Sequence, residues 1–292
     1  KSLYQNGYNI SVVFTQPPQK SHRGQKINKS PIQGISETLN IDYRTPKTLK
    51  DNHEEYEFLK ELNADLAIVC AYGQIIPENF LNLTKKGFVN IHASILPSWR
   101  GAAPIQRSIM NLDPETGISI MKIKKELDSG PVSNIYKIKI DQNQNAQEIS
   151  EKLSALAAEK ILDNVDDILE DKAKFIDQDH SKATYAKKID KEESRIDWDE
   201  DASKIIGKIN GLFPSPGASF SFNGERYKIL KAEIGNGIGQ VGEIISNQLE
   251  VACNKNQSIK ILEIQRQGKR PQKISEFMLG SQIKKGSKLS NV

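Results

Sequence analysis

Two apolar runs, residues 65–73 (DLAIVCAYG) and 87–94 (GFVNIHAS), constrain this chain more than anything else in it. Each is bounded by turn residues and is short for a helix. The first shows no alternation of polar and apolar positions, which is the pattern of a strand buried on both faces of a sheet. Segments with apolar residues at helical spacing, 32–39 and 54–62, precede them, and a short helix is expected over 103–111. Residues 116–140 read as two strands around a turn at Asp128, Ser129, Gly130 and Pro131. In 147–170, Ile149, Leu153, Leu156, Ile161, Val165 and Ile168 recur with helical period. Strands alternating with helices predict βαβ units and a mostly parallel sheet, an α/β domain of Rossmann-like type.

The pattern breaks after Glu170. Residues 170–198 are charged and weakly periodic, so a linker is expected there. Beyond a helix over 202–211 come short strands with turn signals, among them the Asn223-Gly224 pair, a strong hairpin signal. These features predict a small OB-like β-barrel domain. The expected organisation is an α/β domain over 1–173, a linker over 174–198 and the β domain over 199–292. At the other end, residues 1–7 read as a helix end stopped by Gly7, followed by a strand over 8–15. With no strand before that helix end, the chain reads as clipped at its N-terminus.

Composition excludes several classes. A chain that is 27% charged and 37% hydrophobic is globular, and it holds no apolar run long enough to span a membrane. Its two cysteines are too few for a disulfide framework or a metal cage, so no metal is expected; both read as small buried hydrophobes. A reducing, cytoplasmic setting follows, with the chain acting as a monomer. The net charge of +4 conceals an asymmetry: residues 255–292 carry nine Lys/Arg against two acids, and the remainder is net negative. Such a basic end suits a polyanionic partner, although a solvated lysine-rich surface accounts for the charge equally well.

Residues two apart on a strand share a face, so Asn90 and His92 project side by side, with Val89 and Ile91 buried on the opposite face. They lie near the carboxyl end of a parallel strand, where open α/β sheets bind ligands. An amide donor beside an imidazole can hold a developing oxyanion and move a proton, which carbonyl transfer requires. Asp128, at another strand end, is placed to orient His92 and favour its charged form. Residue types and spacing leave the plainer reading open, in which all three serve local hydrogen bonds. Neither GxGxxG nor GxxxxGK[ST] occurs.

At these positions the chain resembles a known family. NIHASILPSWRGAAPIQRSI, followed by ETGISIMKIKKELDSGPV, is similar to the signature of the folate-dependent formyltransferases. The resemblance extends through VVFTQP, RGQKI, AYGQIIP and TYAKKIDKEESRIDW to the C-terminal β domain. WRGAAPIQ and the linker motif favour the branch whose acceptor is methionine carried on initiator tRNA. The resemblance implies a formyl donor, 10-formyltetrahydrofolate, and an acceptor, methionyl initiator tRNA. It implies that Asn90 and His92 stabilise the oxyanion, that His92 helps move the proton to the leaving nitrogen, and that Asp128 tunes His92. Ser94, Ile95, Leu96 and Pro97, with Tyr72, Gly73 and Ile75, would cradle the pterin. Arg23 and Lys26 would reach the tRNA acceptor end, and the basic β domain its backbone. The family's first strand and the turn after it have no counterpart here. Sibling transferases acting on a ribonucleotide or sugar amine, a formyl-folate hydrolase, and a non-catalytic RNA-binding protein are the alternatives. The intact Asn90, His92 and Asp128 weigh against the last.

Overall fold

The computed structural model describes residues 1–21 and 26–289. The chain divides into two compact units, one made of Lys1–Arg100, Gly117–Tyr136 and Ser154–Ala183, the other of Gly101–Thr116, Lys137–Leu153 and Thr184–Val292.

The first unit opens with α1 (Ser2–Gln5), β1 (Val13–Phe14), β2 (Gln19–Ser21), β3 (Lys26–Asn28), α2 (Pro31–Thr38) and β4 (Tyr43–Arg44). It continues through α3 (His53–Leu62), β5 (Ala67–Val69) and β6 (Phe88–His92). Helix α2 starts where local chemistry sets it: the Ser30 hydroxyl accepts from the Gln33 amide at 2.9 Å, and Pro31 supplies a preset φ. Asn52 caps α3 in the same way, Glu54 and Glu55 sit in its first turn, and Asn63 ends it in a left-handed conformation. After β7 (Arg100–Gly101), and after α4 (Pro104–Met110), which belongs to the second unit, come β8 (Glu115–Lys122), β9 (Val132–Lys139) and α5 (Ala146–Leu169).

Parallel ladders join β1 to β4 and β5 to β6, with Val69 opposite Asn90. Strand β8 lies antiparallel against β6, with Ser119 opposite His92, and the sheet order is β5-β6-β8-β9. The frame is a Rossmann-like α/β domain, with the parallel ladders β1–β4 and β5–β6 in the segment that ends at His92. Val89 and Ile120 are buried between the sheet and Ile168 of α5, while Leu49, Leu59, Phe80 and Phe88 form a second cluster.

Three expectations are corrected here. The strand over 65–73 shrinks to Ala67–Val69, which is half-buried because β5 ends the ladder path. Cys70 falls past the end of that strand and is exposed rather than buried, although nearby protein still desolvates its thiol and raises its pKa. Cys253 is buried as expected, and burial pushes its thiol up to about 12. The strand over 8–15 is likewise shortened to Val13–Phe14.

The second unit adds β10 (Tyr185–Ala186), α6 (Ala202–Leu212), β11 (Ser219–Phe222), β12 (Glu225–Ile234), β13 (Glu250–Cys253), β14 (Gln257–Arg266), β15 (Gln272–Lys273) and α7 (Ile274–Leu279). The strands pair antiparallel in the order β11-β12-β14-β13, with β15 on β14, and the sheet curls into an OB-like half-barrel. Asn223 and Gly224 both take positive φ, the backbone that a tight hairpin between β11 and β12 requires. Helix α6 packs on α4, and a Cβ at Gly211 would lie 2.6 Å from the Met110 side chain, so the close approach needs glycine. The weakly periodic stretch before α6 carries core residues of this unit: Ala186, Ile196 and Trp198 are buried. Their spacing follows neither helix nor strand period, so the pattern alone gives them no face. Among the described residues no helix is long and apolar enough to cross a membrane.

Candidate active site

Strand β6 delivers its last residue into the site. Asn90 is half-buried and His92 is 6% exposed, both on one face, while on the other face Val89 is fully buried and Ile91, expected to be buried, is only half-buried. His92 Nε2 lies 3.0 Å from the Trp99 carbonyl oxygen, so that nitrogen donates. Trp99 holds this carbonyl in place with φ at +61°, a left-handed conformation uncommon for a bulky residue. On the other side of the ring, His92 Nδ1 stands 3.6 Å from Asp128 Oδ2, just beyond hydrogen-bond length. Both ring nitrogens therefore face oxygen acceptors.

Asp128 owes its position to the turn that carries it. It takes φ of +46°, which aspartate tolerates better than most residues. Ser129 Oγ donates to the Glu126 carbonyl at 3.0 Å, and the Lys122 amide donates to Pro131 at 2.9 Å. Gly130 rests against the Lys122 carbonyl so closely that a Cβ would sit 1.9 Å from its oxygen. The LDSG sequence is thus a steric requirement of the turn as well as a carrier of Asp128.

The expected donor-binding residues lie on two loops. Because β5 and β6 run parallel and adjacent, the loops after Val69 and after His92 leave the same edge of the sheet. In the second loop the side chains of Ser94 and Leu96 are buried, and Ser94 Oγ donates to the Ser98 carbonyl at 2.6 Å. Ser119 Oγ accepts from the Leu96 amide at 3.1 Å and donates to the Ser94 carbonyl at 2.7 Å, pinning the turn from β8. Ser94 and Leu96 can offer a ligand little but backbone, whereas Ile95 and Pro97 are half-buried. In the first loop the Tyr72 carbonyl accepts from Gln16 Nε2 at 2.7 Å, and Gly73 takes φ of +76°. The Tyr72 phenol packs beside the Phe88 cluster, and burial, with the Glu55 carboxylate adding, pushes its pKa up to about 12. Ile75, by contrast, is 89% exposed. An exposed apolar side chain on a loop at the carboxyl edge fits a flat heteroaromatic ligand. Arg23 lies outside the described residues, as does the side chain of Lys26, whose backbone opens β3.

Sequence reasoning missed the supports of this site. The Trp99 carbonyl, Ser119, Arg100 and Gln178 all brace it. Only Ser119 left a signal, as a small polar residue inside the apolar run of β8. Trp99 acts through its backbone carbonyl and Gln178 comes from a stretch with no pattern, while Arg100 lies in the WRGAAPIQ motif, which gives no sign that its guanidinium points to Gln178.

Comparison with known proteins gives the family of the chain. Residues 1–165 match the family model described as formyl transferase, and residues 188–282 match that of the formyl transferase C-terminal domain. The methionyl-tRNA formyltransferase of Pelagibacter ubique (strain HTCC1062) is 66% identical over 292 residues, covering 100% of this chain and 94% of the relative. That of Mesorhizobium japonicum is 38% identical over 301 residues, covering 99% and 94%. Among solved structures, the sugar 3N-formyl transferase WlaRD, crystallised with dTDP and 5-N-formyl-THF, superposes with a TM-score of 0.65 at 18% identity, covering 90% of this chain and 100% of that one. HypX from Aquifex aeolicus, in complex with tetrahydrofolic acid, gives a TM-score of 0.65 at 15% identity, covering 97% and 51%. At such identities the likeness to these two is one of fold. Matched by both domain models and by relatives along its whole length, the chain belongs to the formyl transferase family.

Proposed function

We propose that this chain transfers the formyl group of 10-formyltetrahydrofolate to the α-amino group of methionine on initiator tRNA, with Asn90, His92 and Asp128 as its catalytic residues. The observation that carries the reading is His92, held at the carboxyl end of β6 beside Asn90 with Asp128 Oδ2 at 3.6 Å, in a chain 66% identical throughout to a methionyl-tRNA formyltransferase. The donor supplies an electrophilic formyl carbon on a nitrogen that can leave. When the amine attacks that carbon, negative charge grows on the formyl oxygen; the carbon–nitrogen bond to the donor then breaks, and the proton lost by the amine must reach the departing nitrogen. The Asn90 amide is a donor for that oxygen. His92, fixed through Nε2 on the Trp99 carbonyl, is the group placed to hold positive charge beside it. Asp128 stabilises the charged ring and keeps its plane oriented. A preorganised donor of this kind is worth about 10²–10³ in turnover.

The loops carrying Tyr72, Gly73 and Ile75 and carrying Ser94, Ile95, Leu96 and Pro97 offer backbone polar groups and an apolar rim for the pterin. The β domain supplies the tRNA platform. Among its described residues Lys269, Arg270, Lys273, Lys284, Lys285 and Lys288 are exposed and form no ion pair. Lys269 and Arg270 line a cleft of about 590 Å³ with Phe222 and Tyr227. A single chain working in the cytoplasm meets these requirements. The test is transfer of labelled formyl to Met-tRNA: Asn90→Ala, His92→Ala and Asp128→Asn should each lower kcat by on the order of 10²-fold, with KM little changed. Near-normal turnover in His92→Ala would sink the assignment.

A further inference from the structure

Gln178 lies in the charged stretch after α5, where the sequence suggests nothing more than a connection, yet it is 8% exposed and uses its whole amide. Its Nε2 donates to the carbonyl of Asp128 at 2.9 Å and to that of Gly130 at 2.7 Å. Its Oε1 accepts from Arg100 Nε at 3.1 Å and from Nη2 at 2.8 Å. Arg100 is 3% exposed, and its Nη2 also meets His180 Nδ1 at 3.1 Å. The amide orientation is settled by its partners, because a guanidinium only donates and carbonyls only accept. The guanidinium anchors the oxygen end, which aims both N–H bonds at the turn.

We propose that Gln178, anchored by Arg100, is a positioning residue that locks the turn carrying Asp128, so that the Asp128 carboxylate faces His92. The inference rests on the catalytic reading above. A left-handed Asp128 needs surroundings that over-determine it, and two hydrogen bonds to its own carbonyl and to that of Gly130 do so. Without them, the carboxylate would be free to swing by the ångström or so that separates productive from unproductive geometry.

The discriminating variant is Gln178→Glu. A carboxylate in that place still accepts both Arg100 donors, and does so as a charged pair, so the buried guanidinium keeps a partner. It can no longer donate to the turn, whose two carbonyls would face oxygen. The expected result is a folded enzyme with kcat down about 10–100-fold and KM for both substrates within about twofold, the signature of a lost transition-state interaction. In an Asp128→Asn background the same change should cost less than about threefold, since neighbours acting through one group do not add. Should Gln178→Glu fail to melt cooperatively, Arg100→Lys, which keeps the charge but loses the fork, reads the same coupling. Its loss of turnover should be present when Asp128 is intact and absent in the Asp128→Asn background. Wild-type turnover in Gln178→Glu, or losses that multiply in the double variant, overturns the positioning role while leaving the catalytic reading intact. Wild-type turnover in Asp128→Asn alone instead brings down the catalytic reading itself.

Discussion

Replacing Gly130 by alanine separates the steric role of the LDSG turn from its chemistry. Gly130 does not have a positive φ, so alanine can adopt its backbone, and by restricting the unfolded chain it would favour the fold by about 0.4–1 kcal/mol. Against this stands one contact: the new Cβ would lie 1.9 Å from the Lys122 carbonyl oxygen and 2.9 Å from its carbon, where real Cβ contacts essentially never fall under 3.0 Å. Backbone faces backbone here, so the turn and β8 must part by about 1 Å. Such overpacking costs roughly 1–3 kcal/mol. The shift also weakens the Lys122–Pro131 hydrogen bond of 2.9 Å and the Gln178–Gly130 bond of 2.7 Å, each worth about 0.5–1.5 kcal/mol. The balance is a loss on the order of 2–3 kcal/mol, or about 4–12 °C in the melting temperature of a unit this size. Asp128, two residues away, moves with the turn, so formyl transfer should fall by about 10²-fold in kcat. Gly224→Ala is the control: it has a positive φ of +77° but nothing within 4 Å of a Cβ. It should cost on the order of 1 kcal/mol without touching turnover. A Gly130→Ala enzyme that melts and turns over as the wild type does would refute the argument.

Two further outcomes follow from charges elsewhere. Arg107 Nη2 binds Glu193 Oε1 at 2.9 Å inside the second unit, and this hydrogen bond holds the Glu193 carboxyl below its ordinary range. A depressed folded-state pKa adds stability that is present above the unfolded value of about 4.3 and lost as pH falls through the folded one. Glu193→Gln should therefore be about 1 kcal/mol less stable than wild type at pH 7, with the gap closing in acid melts; a gap independent of pH would contradict it. Removing Lys269 and Arg270 together should weaken Met-tRNA binding and lower the salt dependence of log K by about 1–2, with KM for the folate unchanged. An unaltered salt slope would mean that these residues are solvated surface.

What the sequence makes legible is whatever one segment decides for itself. Strand β6 declares its two faces by alternation, so the pairing of Asn90 with His92 and the burial of Val89 could be read from neighbours alone. The caps of α2 and α3 are equally local, and Asn223-Gly224 carries its hairpin in two residues. Asp128 was reachable by a longer step, since a strand-end acid on a βαβ frame has few places to go. Gln178 was not reachable. Its burial answers a demand made elsewhere, by the carbonyls of the Asp128 turn to which it donates, and nothing in the residues beside it records that demand. The same holds for Cys70, whose apolar neighbours promise a buried strand while pairing ends one residue earlier, at Val69. A catalytic side chain betrays itself by its chemistry. The residue that satisfies a backbone group behind it has only ordinary chemistry to show, so the supports of this site emerge only when each buried carbonyl is asked where its hydrogen bond goes.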